Sequence, residues 1–147
     1  MLIREYRDGD FSTLCQIFQR AVRETASQHY SPAQVNAWAQ VDEARWRQKM
    51  ADSLVQVATV DDVPVGFVTA VEFYIDLLFV DPLYSRRGIA SALLKALFAR
   101  LPTGTLTVEA SITARACFER LGFVVVAEQE VEARGERFVN YRMEKIR

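Results

Sequence analysis

The chain has 147 residues, 50% of them hydrophobic and 25% charged, with a formal net charge of −1. That length suits one domain, residues 1–147, with its own core, and the apolar share excludes a disordered chain. The near-zero charge excludes a general attraction to nucleic acid or to an anionic membrane and leaves only local patches, such as Arg86 and Arg87.

The two cysteines, Cys15 and Cys117, stand far apart and the only histidine is His29, so no spacing suggests a metal site. The opening Met-Leu-Ile-Arg-Glu is no signal peptide. Val63 to Val80 is apolar enough to raise a membrane span, but it contains Pro64, Gly66, Glu72 and Asp76. Burying both carboxylates in lipid is costly, so two buried strands fit better. These features predict a soluble protein of a reducing compartment, the cytoplasm.

In chain order, Leu2 to Tyr6 reads as a first strand. Asp8 or Asp10 can cap the helix that follows. Leu14, Ile17, Phe18, Ala21 and Val22 recur at helical spacing on one face, and the helix is expected to end near Ser27. Ser31 as N-cap and Pro32 in the first turn start a second helix carrying Val35, Trp38 and Ala39. A third runs from about Asp42 to Ala51, with Trp46 and Met50 inward. Strands are predicted at Leu54–Val60 and Val63–Ala70, around a turn at Asp61-Asp62. A turn around Val71, Glu72 and Phe73 lacks any Gly, Asn or Pro to mark it, and Ile75–Val80 follows as the central strand.

After this strand come Asp81-Pro82, a short polar turn with two arginines, and a helix predicted from Gly88 to Arg100 with Ile89, Leu93, Ala96 and Leu97 on one face. Pro102-Thr103-Gly104 stops it. Thr105–Ala110 reads as a strand and Thr113–Leu121 as a helix, with Gly122 as its left-handed C-terminal residue. Two last strands, Phe123–Glu132 and Arg137–Lys145, join at Ala133-Arg134-Gly135-Glu136. Mixed elements with runs of adjacent strands predict an α+β fold with a mostly antiparallel sheet.

The strand–loop–helix at Asp76 to Leu94 is built to hold a phosphate group. The first N–H groups of a helix have no partner within it, and the helix dipole is positive there. Gly88 lets a bulky anion approach the backbone, and Arg86 and Arg87 add charge. The loop Arg86, Arg87, Gly88, Ile89, Ala90 and Ser91 therefore reads as a pyrophosphate cradle. The plainer alternative is an ordinary strand-to-helix turn with solvated arginines.

The wider sequence separates the two. Val80-Asp81-Pro82 and Arg87-Gly88-Ile89-Ala90 resemble motif A of the GNAT superfamily of acetyl-CoA-dependent N-acyltransferases, Arg/Gln-x-x-Gly-x-Gly/Ala after a strand ending in Val-x-Pro. Ser85 stands where the family prefers Arg or Gln. Ser111, Ala114, Cys117, Phe118, Glu119, Gly122 and Phe123 resemble motif B, Asn-x-x-Ala-x-x-Phe-Tyr-Glu-x-x-Gly-Phe. The resemblance implies a GNAT fold, a twisted sheet of about seven strands flanked by helices and opened in a V between Ile75–Val80 and Thr105–Ala110. It also implies that the helical region before Leu54 covers the acceptor cleft. Acetyl-CoA is implied as co-substrate without a metal. The acceptor would be a primary amine on a small molecule or peptide, and a homodimer is compatible with the resemblance.

Acetyl transfer to an amine requires a polarised thioester carbonyl, a deprotonated amine and a stabilised thiolate. The resemblance implies polarisation by a backbone N–H of a bulged central strand near Leu78 or Phe79, with Leu78, Phe79 and Val80 pairing the pantetheine arm. Ser111 would face the cofactor. For the base, Asp76 lies two residues from Leu78 and Glu109 two before Ser111, so each is expected on the face of its neighbour. A carboxylate among Leu, Ile and Val must be partnered or functional. His29 is a third candidate by its ordinary pKa. The family's usual acid is a Tyr, here replaced by Phe118; Tyr30, Tyr84 and Tyr141 are the phenols that could substitute. Cys117 invites a covalent acetyl-enzyme, although no activating histidine lies nearby in sequence. An acyl-CoA-binding module without turnover is the alternative that Phe118 leaves open.

Overall fold

The computed structural model describes all 147 residues. Its strands are β1 (Leu2–Glu5), β2 (Leu54–Val60), β3 (Val63–Val71), β4 (Tyr74–Val80), β5 (Thr105–Ser111), β6 (Val124–Ala133) and β7 (Glu136–Ile146). The helices are α1 (Phe11–Arg20), α2 (Pro32–Trp38), α3 (Glu43–Asp52), α4 (Ile89–Arg100) and α5 (Arg115–Arg120). The seven strands form one sheet in the order β1-β2-β3-β4-β5-β7-β6. Every neighbouring pair is antiparallel except β4 and β5, which α4 links as a parallel crossover. The α+β reading and the mostly antiparallel sheet agree with this arrangement.

Two apolar clusters sandwich the sheet. Leu93, Leu94 and Leu97 of α4 and Phe118 of α5 pack with Val68, Ile75, Leu106 and Met143 on one face. Leu14, Ile17 and Phe18 of α1, Val35 and Met50 pack with Val57, Phe67 and Phe138 on the other. Alternation along each strand divides its side chains between the faces, as a sheet covered on both sides requires.

Three local readings change. Asp10 does not cap α1. Its carboxylate takes two bonds from the Arg4 guanidinium, at 2.8 and 2.9 Å, and one from the Arg7 N–H at 2.9 Å. The first helix stops at Arg20, gives way to a π-helical turn, Ala21–Thr25, and ends in a 3-10 turn, Ala26–Gln28. There the Ala26 N–H reaches back five residues to the Ala21 carbonyl. The helix predicted from Thr113 shortens to Arg115–Arg120, because the Ser111 hydroxyl accepts the Ala114 N–H at 3.1 Å and holds the preceding residues in a turn.

The most consequential change lies in β4. Thr69 pairs with Leu77 but Ala70 with Ile75, so Asp76 is an extra residue, a β-bulge. The bulge was expected near Leu78 or Phe79. Because of it, Ile75 and Leu78 join the α4 cluster while Leu77 and Phe79 face α1 and α2. Asp76 therefore does not share the face of Leu78. It points to α3, where its Oδ2 accepts the Lys49 ammonium at 2.6 Å.

Candidate active site

β4 and β5 pair only at Tyr74–Thr107 and Ile75–Val108, and then diverge. The divergence leaves main-chain groups of β4 without a partner strand. The Asp81 N–H donates to the Val65 carbonyl at 2.8 Å and the Leu77 N–H to Thr69 Oγ1 at 3.1 Å, both toward β3. Alternation then turns the Leu78 and Val80 amides into the opening. Beyond Val80 the chain is fixed by Asp81, whose carboxylate accepts the Leu83 N–H at 3.0 Å and the Arg20 guanidinium at 2.7 Å. Gly88 follows at φ 76° as the N-cap of α4, a left-handed conformation that glycine adopts without strain. A methyl group built on it would meet nothing within 4 Å, so the space before the helix terminus is open.

A cavity of about 310 Å³ runs from this loop along the opening. Arg86, Gly88 and Ser91 line it, together with Val80, Tyr84, and Ala21 and Thr25 of the π-helical turn. The residues present fit a pyrophosphate and an extended arm: a helix terminus, a positive side chain, open space at glycine and free strand amides. A second cavity, of about 340 Å³, continues between β4 and β5. The two share Trp38, Leu78, Phe79, Ser111 and Ala114 as a common wall.

The second cavity is largely apolar, with Trp38, Phe79 and Phe138 among its walls, and it carries two carboxylates. Glu109 accepts the Tyr74 hydroxyl at 3.2 Å and the Gln129 amide at 2.7 Å. Burial, helped by the charges of Glu109 and Asp76, pushes the Tyr74 phenol well above its ordinary range, so it remains a donor. Asp76 is held by Lys49, whereas Glu109 has only neutral hydrogen-bond partners. A proton taken by Asp76 would strand the Lys49 charge; one taken by Glu109 would strand none.

A family model for the acetyltransferase (GNAT) domain matches residues 26–145. The chain belongs to the GNAT superfamily. It is 58% identical over 141 residues to the uncharacterized N-acetyltransferase YafP of Escherichia coli (strain K12), covering 96% of this chain and 93% of that one. A GCN5-related N-acetyltransferase structure from Rhodopseudomonas palustris, titled aminotransferase class-II, superposes with a TM-score of 0.93 at 32% identity. That match covers 99% of this chain and 95% of the other. The fold is shared, at a TM-score of 0.70 and 18% identity, with YncA of Salmonella typhimurium, solved with acetyl-CoA; 99% of this chain and 93% of that one are covered.

Within this GNAT fold, Leu78, Phe79, Val80, Arg86, Gly88, Ile89, Ala90, Ser91, Ser111 and Cys117 all line the first cavity. Arg87 does not; its guanidinium lies over the Tyr84 ring, 5.1 Å from the centroid. Phe118 is buried, edge-on to Phe123, and lines the second cavity rather than the first. Ser111 borders both cavities and shares the face of Glu109, as strand alternation predicts. His29 lines neither cavity; its Nδ1 hydrogen-bonds with Thr113 Oγ1 at 3.0 Å on the surface. Tyr30 lines the second cavity, but its hydroxyl donates to the Val139 carbonyl at 2.8 Å and accepts the Ile112 N–H at 2.9 Å. It ties β5 to β7 and has no proton to spare. Burial keeps the Cys117 thiol above its ordinary range, against the influence of Arg120 and Ser91, so it is no thiolate at neutral pH.

Sequence reasoning passed over Tyr74, Lys49, Gln129 and Asn140. Each reaches the cavity region through strand register or helix packing, and no local pattern marks any of them. A half-buried aromatic at the start of a strand and a lysine on a polar helix read as ordinary in sequence.

Proposed function

We propose that this GNAT protein moves an acetyl group from acetyl-CoA to a primary amine of a small molecule, by direct transfer. The observation that carries the reading is the pair of cavities meeting at Leu78 and Ser111, one ending at a phosphate-type loop and the other at Glu109.

Acetyl-CoA supplies the activated thioester. The Arg86–Ser91 loop would hold its pyrophosphate, and the Leu78 and Val80 amides would bind its arm and polarise the carbonyl. The amine nitrogen bonds to the thioester carbon as Glu109 takes its surplus proton, directly or through a water. The C–S bond then breaks and the electron pair leaves on sulfur. Tyr84 is a phenol lining the first cavity, which supports it as the group that protonates that thiolate. Phe118 has no proton to give and acts as apolar wall.

The test is a thiol-release assay with acetyl-CoA and a panel of small primary amines, alongside calorimetry of acetyl-CoA binding. Amine-dependent thiol release with a matching acetylated product is expected. Tight acetyl-CoA binding without transfer to any amine or peptide would replace the enzyme with a binding module.

A further inference from the structure

Asn140 sits on β7, directly opposite Ser111 of β5 on one side and Gln129 of β6 on the other. Residues opposite one another in a sheet share a face, so Asn140 lies on the face of Glu109 and Ser111. It lines the second cavity. Its Oδ1 is fully shielded, yet has no hydrogen-bond partner. A buried carbonyl oxygen without a donor costs about 1–3 kcal/mol, and such groups call for a specific explanation. Nothing in the strand pairing requires an amide there; an apolar side chain would fill the position without that penalty.

Resting on the amine-acetylating reading above, we propose that Asn140 positions the acceptor: its carbonyl oxygen accepts one N–H of the amine while Glu109 takes the other. The register supports this. Glu109 is opposite Arg142, so Asn140 is its diagonal neighbour, and such neighbours stand about 7–8 Å apart. One nitrogen with a hydrogen bond to each side spans that gap. The terminal torsion of Asn is broad and roughly two-fold, so rotation about it can bring Oδ1 to the cavity. Gln129 gives an amide N–H to Glu109, and within this polar group Asn140 Oδ1 is the shielded acceptor without a partner.

With both N–H groups held, the nitrogen lone pair is directed along the shared wall toward Leu78. Transfer forms the N–C bond, breaks the C–S bond and delivers the surplus amine proton to Glu109. The arrangement selects a primary amine over its N-methyl derivative, which has one N–H fewer. The walls add a second condition. The cavity lining includes Trp38, Phe79 and Phe138 but no Lys or Arg, so the amine sits on an apolar body without a carboxylate.

The probes are 2-phenylethylamine and N-methyl-2-phenylethylamine, assayed by thiol release with acetyl-CoA. The native protein should prefer the primary amine by about tenfold or more, the discrimination that a lost buried hydrogen bond gives. Asn140→Leu should raise KM for the primary amine by a similar factor, about tenfold, and remove the preference, with KM for acetyl-CoA unchanged. Asn140→Asp keeps an acceptor oxygen and should retain the native preference, which a purely structural role would not give. Equal use of both amines by the native protein would overturn the proposal even if no variant folds. A folded Asn140→Leu with native amine KM would overturn it too. Turnover of other amines but not 2-phenylethylamine would overturn the apolar-acceptor assignment. Failure to acetylate any amine would instead remove the function on which the proposal rests.

Discussion

The two sides of the Leu78–Ser111 wall are built in different ways. The side proposed for the cofactor takes much of its lining from one run, Leu78 to Ser91, supplemented by Ser111 to Arg120, and it includes the free Leu78 and Val80 amides and the open space at Gly88. The acceptor side is assembled from side chains on α2, β4, β5, α5, β6 and β7. Main-chain recognition depends on a backbone path and tolerates side-chain change. Side-chain recognition depends on register, where one slipped residue reverses every direction. A shared co-substrate suits the first kind of construction and a particular acceptor suits the second.

If this division is right, substitutions on one side should leave the other unmoved. The largest effect is expected from Glu109→Gln, which removes the proton acceptor but keeps the hydrogen-bonding shape. Turnover should fall by about 10²- to 10⁴-fold with acetyl-CoA affinity preserved, as steady-state kinetics and calorimetry would register. Native turnover in this variant would move the base elsewhere, and Asp76 would have to be freed from Lys49 to serve.

Gly88→Trp addresses the opposite side. It forces a bulky residue into a φ of 76° and fills the space before α4. Acetyl-CoA should bind about 10- to 100-fold more weakly, roughly 1.4–2.8 kcal/mol. Calorimetry returning the native affinity from a folded variant would remove the loop from the cofactor site.

Thr69→Val acts on the wall between them. Thr69 Oγ1 is the group that satisfies the Leu77 N–H beside the bulge. Valine has the same shape but no acceptor, so about 1–2 kcal/mol of stability should be lost in a urea titration. Because the bulge directs Leu78 and Phe79, this variant should raise KM for both substrates together, which no change on a single side should do.

The smallest effect is remote from both cavities. Asp10 is held below the usual carboxylate range: burial pushes it up, but the Arg4 guanidinium and the Arg7 N–H outweigh burial. A depressed carboxylate contributes stability above its unfolded value, near 3.9, and that contribution disappears as pH falls through the folded value. Arg4→Met leaves only Arg7 to oppose burial, so the acid loss should begin at higher pH. The change in midpoint stability should be about 1 kcal/mol or less, with both KM values native.

The same division explains what the sequence made legible. Gly88, Asp81-Pro82 and the Ser31-Pro32 cap announce themselves because each has a local backbone consequence. The loop and the helices beside it followed from them, whereas the order of the strands in the sheet has no such local mark. The bulge at Asp76 left no mark, since Ile75-Asp76-Leu77-Leu78 passes through it without a glycine or proline. Missing it put Asp76 on the wrong face. Glu109 and Ser111 were directed correctly because β5 is regular. Asn140 and Gln129 carry meaning only through their opposite numbers across the sheet, which periodicity along one strand does not contain.

The π-helical turn at Ala21–Thr25 has a consequence for changes in chain length. A five-residue turn takes up one residue more than an α turn, and each residue advances a helix by about 100°. Deleting a residue elsewhere in α1 would rotate Leu14, Ile17 or Phe18 out of the core. Deleting one within Ala21–Thr25 would let an ordinary α-helix run through to Gln28 with its buried face kept. Yet Ala21 and Thr25 wall the first cavity, the one proposed for the cofactor. At this one turn the molecule can shorten, keep its fold and lose the shape of its site.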